Sequence, residues 1–348
     1  MNPTCPIICG HEFNRKFLDK QVNNLTAQSF VFLGPEKVGR RLIALDFARK
    51  LMCLDIQNGE ACGQCSSCLS STKKLNPDLF VVTFLESTNE DEENSEGNKE
   101  EEKEAEETVA IKKKPTETKE IKVEQIKPLL EFLQYKPQIS KRRVAIVDNA
   151  ERLNIEAWSY LLKTIEEPPP DSILIFLVTD IKKLPETIIS RLLKLSFKEI
   201  PFPEIEEWLT NNFKDHQDLP EIAWRSRGLP GMAIDLLNNP EELKWYRQTD
   251  EEFLELLKMP FCKQSPFLDK MAKLGSGDIE KIISEWLFLV KYYLEDQSDL
   301  FKFKGTKPKL TKKELAILAG DLSGFLDWNK RSGINKRLWL ENIFLQRN

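Results

Sequence analysis

The stretch that decides the fold class is SFVFLGPEKVGRR, which runs from Ser29 to Arg41. Its first five residues are mostly apolar and predict a short buried strand. Gly34 and Gly39 then bracket a turn, because glycine adopts backbone conformations that other residues avoid. From Val38 onward, apolar side chains recur at i, i+3 and i+4, which predicts an amphipathic helix. The stretch therefore predicts a strand, a turn and a helix, the order that opens a parallel α/β unit.

Four further apolar runs predict strands, and helical patterns lie between them. The predicted strands are Leu79–Leu85, Arg143–Asp148, Ile173–Thr179 and Leu193–Phe197, and the clearest helices are Val123–Tyr135 and Asn154–Ile165. Strands that alternate with helices predict a parallel sheet. After Pro203 the strand patterns fade and helical patterns continue. We therefore expect an α/β fold followed by an all-α region, in three domains that cover residues 1–200, 201–240 and 241–348.

The net charge of the chain is −5, but the negative charge is concentrated in one segment. Residues 86–107 hold twelve Asp or Glu against two Lys, a net charge of −10, which leaves +5 for the rest. A segment so acidic and so poor in core-forming side chains cannot bury enough surface to fold. We expect a disordered acidic insertion over residues 86–119. The alternative is that this segment is an electrostatic lid or mimics DNA. Without residues 86–107 the rest of the chain is mildly basic.

Four of the seven cysteines are spaced as metal ligands, in the pattern C-x8-C-x2-C-x2-C. These four are Cys53, Cys62, Cys65 and Cys68. Four thiolates in a short span can form a closed tetrahedral shell, so residues 53–75 predict a structural zinc knuckle. An iron–sulfur cluster shares the ligand set and is the alternative. The remaining Cys5, Cys9 and Cys262 lack such spacing and are interpreted as ordinary thiols.

The turn after the first strand is a degenerate phosphate-binding loop. A P-loop reads G-x4-G-K-[ST] between a strand and a helix, and Gly34 and Gly39 occupy both glycine positions. Arg40 stands in place of the lysine that reaches the phosphates, and Arg41 in place of the hydroxyl that holds Mg²⁺. A guanidinium cannot ligate a cation. The loop therefore has the outline of a nucleotide site without its metal-binding group.

The strand Arg143–Asp148 ends in an acid, as in enzymes that hydrolyse nucleotides. In those enzymes the acid handles Mg²⁺ and a following glutamate polarises the attacking water. Here Asp148 is present but Asn149 occupies the glutamate position, and a neutral amide cannot accept the proton. Hydrolysis is therefore expected to be absent or very slow. The alternative role of Asp148 is to cap the next helix.

Ser190 and Arg191 follow the predicted turn Leu184–Ile189. An arginine at such a position is commonly a solvated surface charge. The functional alternative is an arginine finger that reaches the γ-phosphate of a neighbouring subunit.

Taken in order, these motifs resemble the delta-prime subunits of the bacterial DNA polymerase III clamp loader, a family of the AAA+ superfamily. The segments that carry the resemblance are GPEKVG at 34–39, the cysteine knuckle, NPDLF at 76–80, VAIVDNAERL at 144–153, AWSYLLKTIEEPP at 157–169, ILIFLVTD at 173–180 and LPETIISR at 184–191. They cover roughly residues 10–235. The resemblance implies an AAA+ domain, a helical lid over 201–240 and a helical collar over 241–348 that joins five subunits.

The resemblance also implies roles for single residues. The four knuckle cysteines match the zinc ligands of the family, and Thr179 matches the sensor-1 position at the end of a strand. Ser190 and Arg191 match a Ser-Arg-Cys motif in which Leu192 replaces the cysteine. Met232 stands where ATPase relatives carry a second-sensor arginine. These matches imply a subunit that does not hydrolyse ATP but gives Arg191 as a finger to a neighbour during ATP-dependent clamp loading.

The partners implied are gamma/tau ATPase subunits, the delta subunit, the sliding clamp through the complex, and primed DNA through its backbone. The basic residues that we consider for DNA contact are Arg15, Lys16, Lys73, Lys74, Lys141, Arg142 and Arg143, and each is otherwise a solvated charge. No apolar stretch is long enough for a membrane span and the first residues do not resemble a signal peptide, so we expect a cytoplasmic location. The competing functions are an active AAA+ ATPase of the gamma/tau type and a zinc-stabilised adaptor.

Overall fold

The chain forms two compact units in a computed structural model. The structure describes residues 7–57, 59–73, 75–83, 120–121, 123–214, 216–295, 310–329 and 335–345. One unit comprises Met1–Lys214 with Arg227–Met232, and the other comprises Asp215–Ser226 with Ala233–Asn348. The acidic insertion predicted over 86–119 lies outside the described residues. Its disorder therefore stays a prediction. The three-domain division and its boundaries also stay predictions.

The first unit is built on a five-stranded parallel sheet. The strands of the unit are β1 (Ser29–Leu33), β2 (Ile56–Gln57), β3 (Glu60–Ala61), β4 (Leu79–Val82), β5 (Arg143–Val147), β6 (Ser172–Val178) and β7 (Leu193–Ser196). The main sheet has the order β4-β5-β6-β1-β7, and β2 and β3 form a separate antiparallel pair. Every pairing in the main sheet is parallel, with Leu33 beside Val178 and Val82 beside Val147. The predicted parallel α/β sheet is confirmed, and all five carboxyl ends lie at one edge.

Helices cover both faces of this sheet. The helices of the first unit are α1 (Glu12–Asn23), α2 (Arg40–Met52), α3 (Ser66–Thr72), α4 (Val123–Gln134), α5 (Ile155–Glu166), α6 (Glu186–Ile189) and α7 (Phe202–Asn212). Successive strand residues point to opposite faces, so Phe30 and Phe32 pack in the core with α1 and α2, while Val31 packs with α4 and α5. Helix α1 has only three buried residues, which explains why its sequence pattern did not predict it.

The later part of the chain is helical wherever the structure describes it. The helices are α8 (Leu219–Arg225), α9 (Pro230–Asn238), α10 (Pro240–Leu256), α11 (Phe261–Ala272), α12 (Ser276–Leu294), α13 (Lys312–Asn329) and α14 (Lys336–Leu345). Within the second unit, Arg225 is buried and pairs with Asp250 at 2.6 Å and with Glu285 at 3.2 Å. This ion cluster joins α8, α10 and α12. Among the described helices, none is both long and apolar enough to cross a membrane.

A fully buried carboxylate fixes the segment that leads into β5. Asp78 accepts hydrogen bonds from the backbone N–H groups of Gln138, Ile139 and Ser140 at 2.8, 2.9 and 3.0 Å. The Nε atom of Arg143 lies 3.5 Å from the same carboxylate. A buried charge is tolerated only with such partners. Asp78 therefore ties the loop before β5 to the start of β4.

We expect Asp78→Ala to lower the free energy of unfolding by about 3–5 kcal/mol, because it leaves three backbone amides without their acceptor and a buried guanidinium without its counter-charge. Chemical denaturation followed by circular dichroism measures the change. Glu131→Ala, which removes an exposed carboxylate on α4, is the control and should change the same quantity by less than about 0.5 kcal/mol. Equal effects of the two substitutions would contradict this role of Asp78.

Candidate functional site

The carboxyl edge of the sheet gathers the residues that the sequence singled out as a nucleotide site. The loop Gly34–Gly39 follows β1, Asp148 and Asn149 follow β5, and Thr179 follows β6. The Gly34 amide donates to the Val178 carbonyl at 3.1 Å, which holds the loop against the end of β6. The structure therefore brings these predicted residues together at one place.

Two glycines give the loop its shape. Gly39 caps the start of α2 with φ at 102°, a left-handed conformation that L side chains rarely adopt. A Cβ atom on Gly34 would lie 2.5 Å from the Phe197 carbonyl oxygen, so no side chain fits there without a shift of the backbone. The Lys37 carbonyl accepts the Gly231 amide at 2.8 Å. The loop is thus fixed on several sides within the first unit.

Arg40 turns into the loop rather than toward a ligand. Its side chain is buried, and its Nη1 atom donates to the Gly34 carbonyl and, at 3.0 Å, to the Val178 carbonyl. Burial lowers the pKa of Arg40, while Glu151, Asp148 and Glu36 oppose that shift. The side chain that would contact a phosphate in a P-loop therefore donates to carbonyl groups of the protein itself.

Arg41 and Asp148 form an ion pair at the place where a P-loop protein would hold its cation. The Nη1 atom of Arg41 lies 3.6 Å from Oδ2 of Asp148. The other carboxylate oxygen, Oδ1, accepts the Asn149 amide at 3.0 Å. Both oxygens of Asp148 thus have partners from the chain, and a positive side chain stands beside them. This arrangement opposes Mg²⁺ binding.

Thr179 is engaged by Glu151, a residue that the sequence analysis did not single out. The amide of Thr179 donates to Oε1 of Glu151 at 3.1 Å, and its hydroxyl donates to the same oxygen. Asn149 has φ at 52° and caps the short 3-10 helix Ala150–Arg152, which turns Glu151 toward Thr179. The sequence did not predict the contact between Glu151 and Thr179, because the contact depends on the left-handed backbone of Asn149.

The four predicted zinc ligands converge. Their Sγ atoms all lie within 4.8 Å of one another, with 3.6 Å between Cys53 and Cys62 and 4.0 Å between Cys62 and Cys68. A tetrahedral zinc site with Zn–S bonds of about 2.3 Å requires sulfur separations of about 3.8 Å. The four sulfurs therefore converge around one point, and shifts of about 1 Å or less would bring them to tetrahedral distances.

The environment of the thiols suits a cation. Backbone amides of Gln64 and Cys65 lower the pKa of Cys62 to about 6, which favours the thiolate that binds metal. Burial raises the pKa of Cys53 and Cys68, so these two thiols need a compensating positive charge to ionise. Outside this cluster, Cys9 and Cys262 are free thiols.

Arg191 lies just beyond α6 and is partly exposed. Its Nε atom pairs with Oε1 of Glu166 at 2.8 Å. Its Nη1 atom donates to the Thr187 carbonyl at 2.7 Å and to Ser190 Oγ at 3.2 Å. In the part of the chain that the structure describes, these polar contacts connect Arg191 to α5 and α6, and none connects it to the loop Gly34–Gly39.

The candidate DNA contacts divide by exposure. Lys16, Lys73 and Lys141 are exposed, Arg15 and Arg142 are half-buried, and Lys74 lies outside the described residues. The prediction is wrong for Arg143, which is buried against Asp78 and donates to the carbonyls of Lys136 and Phe132. Arg143 is the first residue of the fully buried strand β5, and its side chain is therefore buried as well.

Comparison with known proteins agrees with this geometry. A family model described as "DNA polymerase III, delta subunit" matches residues 11–201, more than half of the chain. Over 210 residues, 59% of this chain and 54% of the relative, the chain is 28% identical to DNA polymerase III subunit delta' of Pseudomonas aeruginosa. Over 189 residues, 54% of this chain and 23% of the relative, it is 27% identical to subunit tau/gamma of Haemophilus influenzae. A DNA polymerase III gamma subunit-related protein of Thermotoga maritima aligns at a TM-score of 0.45 and 15% identity, covering 95% and 97% of the two chains.

The matched region of the chain spans about half the length of the Pseudomonas relative and under a quarter of the Haemophilus relative. The family match covers the main parallel sheet, the knuckle, the carboxyl-edge loops and Arg191. The chain therefore belongs to the DNA polymerase III delta subunit family.

Proposed function

We propose that this clamp-loader subunit of DNA polymerase III, an AAA+ protein, does not hydrolyse ATP and instead supplies Arg191 to the nucleotide of a neighbouring subunit. The observation that carries the proposal is a contrast between arginines. Arg40 is buried on carbonyl groups of the loop, and Arg41, 49% exposed, is directed onto Asp148 beside the loop. The Arg191 side chain also has partners in its own chain, but it is 40% exposed and these partners lie away from the loop. The only cation of these three that is both exposed and away from the loop is the one suited to act outside the chain.

Three features oppose hydrolysis at the chain's own loop. Arg40 occupies the loop carbonyls, Arg41 neutralises Asp148, and Asn149 offers no base. Glu151 is the next carboxylate after Asp148 in the chain, but Thr179 already donates to it. Hydrolysis needs a bound metal ion and a residue that positions water, and the edge provides neither.

The surface near Arg191 has the character of a protein interface. The outer face of α5 carries Ile155, 80% exposed, and Tyr160, 55% exposed. At about 100° per residue, these two side chains and Glu166 lie within one broad face of the helix. Large exposed apolar side chains commonly mark contact surfaces. A neighbouring subunit that covers this face would bring its nucleotide to Arg191.

The neighbour that we propose is an ATPase subunit of the gamma/tau type, as named among the relatives. We also propose the delta subunit and the sliding clamp as members of the same complex, which would load the clamp onto primed DNA. Lys16, Lys73 and Lys141 are exposed and available for backbone phosphates. The helical residues 241–348 would join the subunits. An active gamma/tau-type ATPase is the second candidate, because relatives of that name match the same region.

We further propose that the knuckle cysteines hold a structural zinc ion. Four protein thiolates fill a tetrahedral shell and leave no position for a substrate. Zinc would fix the segment between α2 and β4, which includes β2, β3 and α3. Its role would be to fold this segment, not to take part in catalysis.

The first test measures ATP turnover by the isolated chain. We expect no Mg²⁺-dependent phosphate release above that of buffer, because Arg41 opposes the metal and Asn149 cannot act as a base. A gamma-type ATPase subunit assayed in parallel is the positive control. Turnover that requires Mg²⁺ would favour the active gamma/tau-type alternative.

The second test measures metal content by mass spectrometry of the purified chain. We expect one zinc ion per chain, lost in Cys62→Ser and Cys65→Ser because three thiolates bind zinc far more weakly than four. Cys262→Ser, an exposed cysteine outside the cluster, should retain the ion. Iron with sulfide in place of zinc would identify a cluster, and neither metal would reject the site.

The third test places Arg191→Ala in a complex assembled with gamma/tau-type and delta subunits, the clamp and primed DNA. Turnover at the adjoining site should fall on the order of 10³-fold, the range for arginine fingers. Lys183→Ala removes an exposed positive charge from the neighbouring 3-10 helix and should leave turnover unchanged. Normal turnover with Arg191→Ala would remove the finger from the proposal.

A further inference from the structure

Arg191 is held from two directions. The contacts to the Thr187 carbonyl and to Ser190 Oγ come from its own turn, one to four residues away in sequence. The contact to Glu166 comes from the last residue of α5, 25 residues earlier in the chain. Among the described residues, Glu166 is thus the one partner that ties the guanidinium to a different element.

The distance between α5 and Arg191 is set by the core. Ile165, beside Glu166, is 5% exposed, and Leu192, beside Arg191, is 6% exposed. Both belong to the same hydrophobic cluster on one face of the sheet. The backbone positions of Glu166 and Arg191 are therefore fixed by buried neighbours, while their side chains meet at the surface.

The pattern of polar contacts leaves one side of the guanidinium open. Nε faces Glu166 and Nη1 faces Thr187 and Ser190, so two of the three nitrogens are engaged. In the described part of the chain, Nη2 has no recorded partner. A guanidinium fixed at two nitrogens has lost much of its rotamer freedom before any phosphate arrives.

The ion pair itself contributes little to folding. Both side chains are about two-fifths exposed, and exposed ion pairs are screened by water and salt. If the ion pair had only a structural role, removing Glu166 would therefore change both stability and turnover only slightly. An effect on turnover much larger than the effect on stability would instead reveal orientation of Arg191.

We propose that Glu166 is the positioning residue of Arg191: its carboxylate holds Nε in an ion pair at 2.8 Å and directs Nη2 out of the chain toward the phosphate of a neighbouring subunit. The inference rests on the proposed function, because it assigns Glu166 a role only if Arg191 acts in trans. Glu166 does not touch the nucleotide itself.

The experiment measures ATP turnover of the assembled complex with clamp and primed DNA. Misplacing a catalytic group by about 1 Å costs up to about 10²-fold. Because the Thr187 and Ser190 contacts remain, we expect Glu166→Ala to lower turnover about tenfold. Glu166→Gln keeps a side-chain oxygen of the same reach, which can accept from Nε, and should stay within about twofold of wild type. Glu167→Ala removes the adjacent exposed carboxylate and serves as the matched control. Gel filtration and thermal unfolding verify that each variant assembles and folds.

The double variant Arg191→Ala with Glu166→Ala separates the inference from the proposed function. If Glu166 acts through Arg191, the double variant equals Arg191→Ala, since coupled residues are not additive. A further loss in the double variant, wild-type turnover with Glu166→Ala, or a Gln variant as defective as the Ala variant would each overturn the positioning role while the finger stands. Wild-type turnover with Arg191→Ala would overturn the finger, and the positioning role with it.

Discussion

The pairing of β1 between β6 and β7 is the constraint on which the candidate site depends. Both pairings are parallel, so Leu33 ends level with Val178 and Ser196. The turns that leave these strands, together with that after β5, must then meet at one edge. The backbone of the sheet thereby brings together the loop Gly34–Gly39, Asp148 and Thr179, and it would do so with other side chains at these positions. The parallel sheet supplies the framework of a nucleotide site, and the proposed lack of hydrolysis rests on the side chains at this edge.

The side chains at this edge satisfy one another. Arg40 binds carbonyls that shape the loop, Arg41 pairs with Asp148, and Thr179 donates to Glu151. Charges that an ATPase would direct at a nucleotide and a metal are balanced within the chain. Arg191 differs because it lies away from this edge, where its partners leave part of the side chain exposed. The distribution of contacts therefore separates a self-contained edge from the surface that we propose to act on another molecule.

The sequence predicted features that follow local patterns, and it missed those that depend on tertiary packing. The five strands of the main sheet, the convergence of the cysteines and the loss of the Mg²⁺ hydroxyl at Arg41 follow from periodicity, spacing and residue chemistry. The inward turn of Arg40, the Glu151–Thr179 contact and the burial of Arg143 do not, because each joins groups that only the folded sheet brings together. Glu166 and Arg191 lie 25 residues apart on an exposed surface, where sequence patterns carry little information.

The ion pair between Arg41 and Asp148 also constrains how the chain could change. Replacing Arg41 alone with threonine would leave the Asp148 carboxylate, 12% exposed, without its cation unless Mg²⁺ bound at once. Replacing Arg40 alone would remove the donor that bridges the Gly34 and Val178 carbonyls. Each of these single substitutions is thus expected to destabilise the edge, and only further substitutions would compensate for the loss. In the proposed non-hydrolysing subunit, hydrolysis could therefore be gained only by replacing several residues together, because the contacts that stabilise the edge oppose each single change.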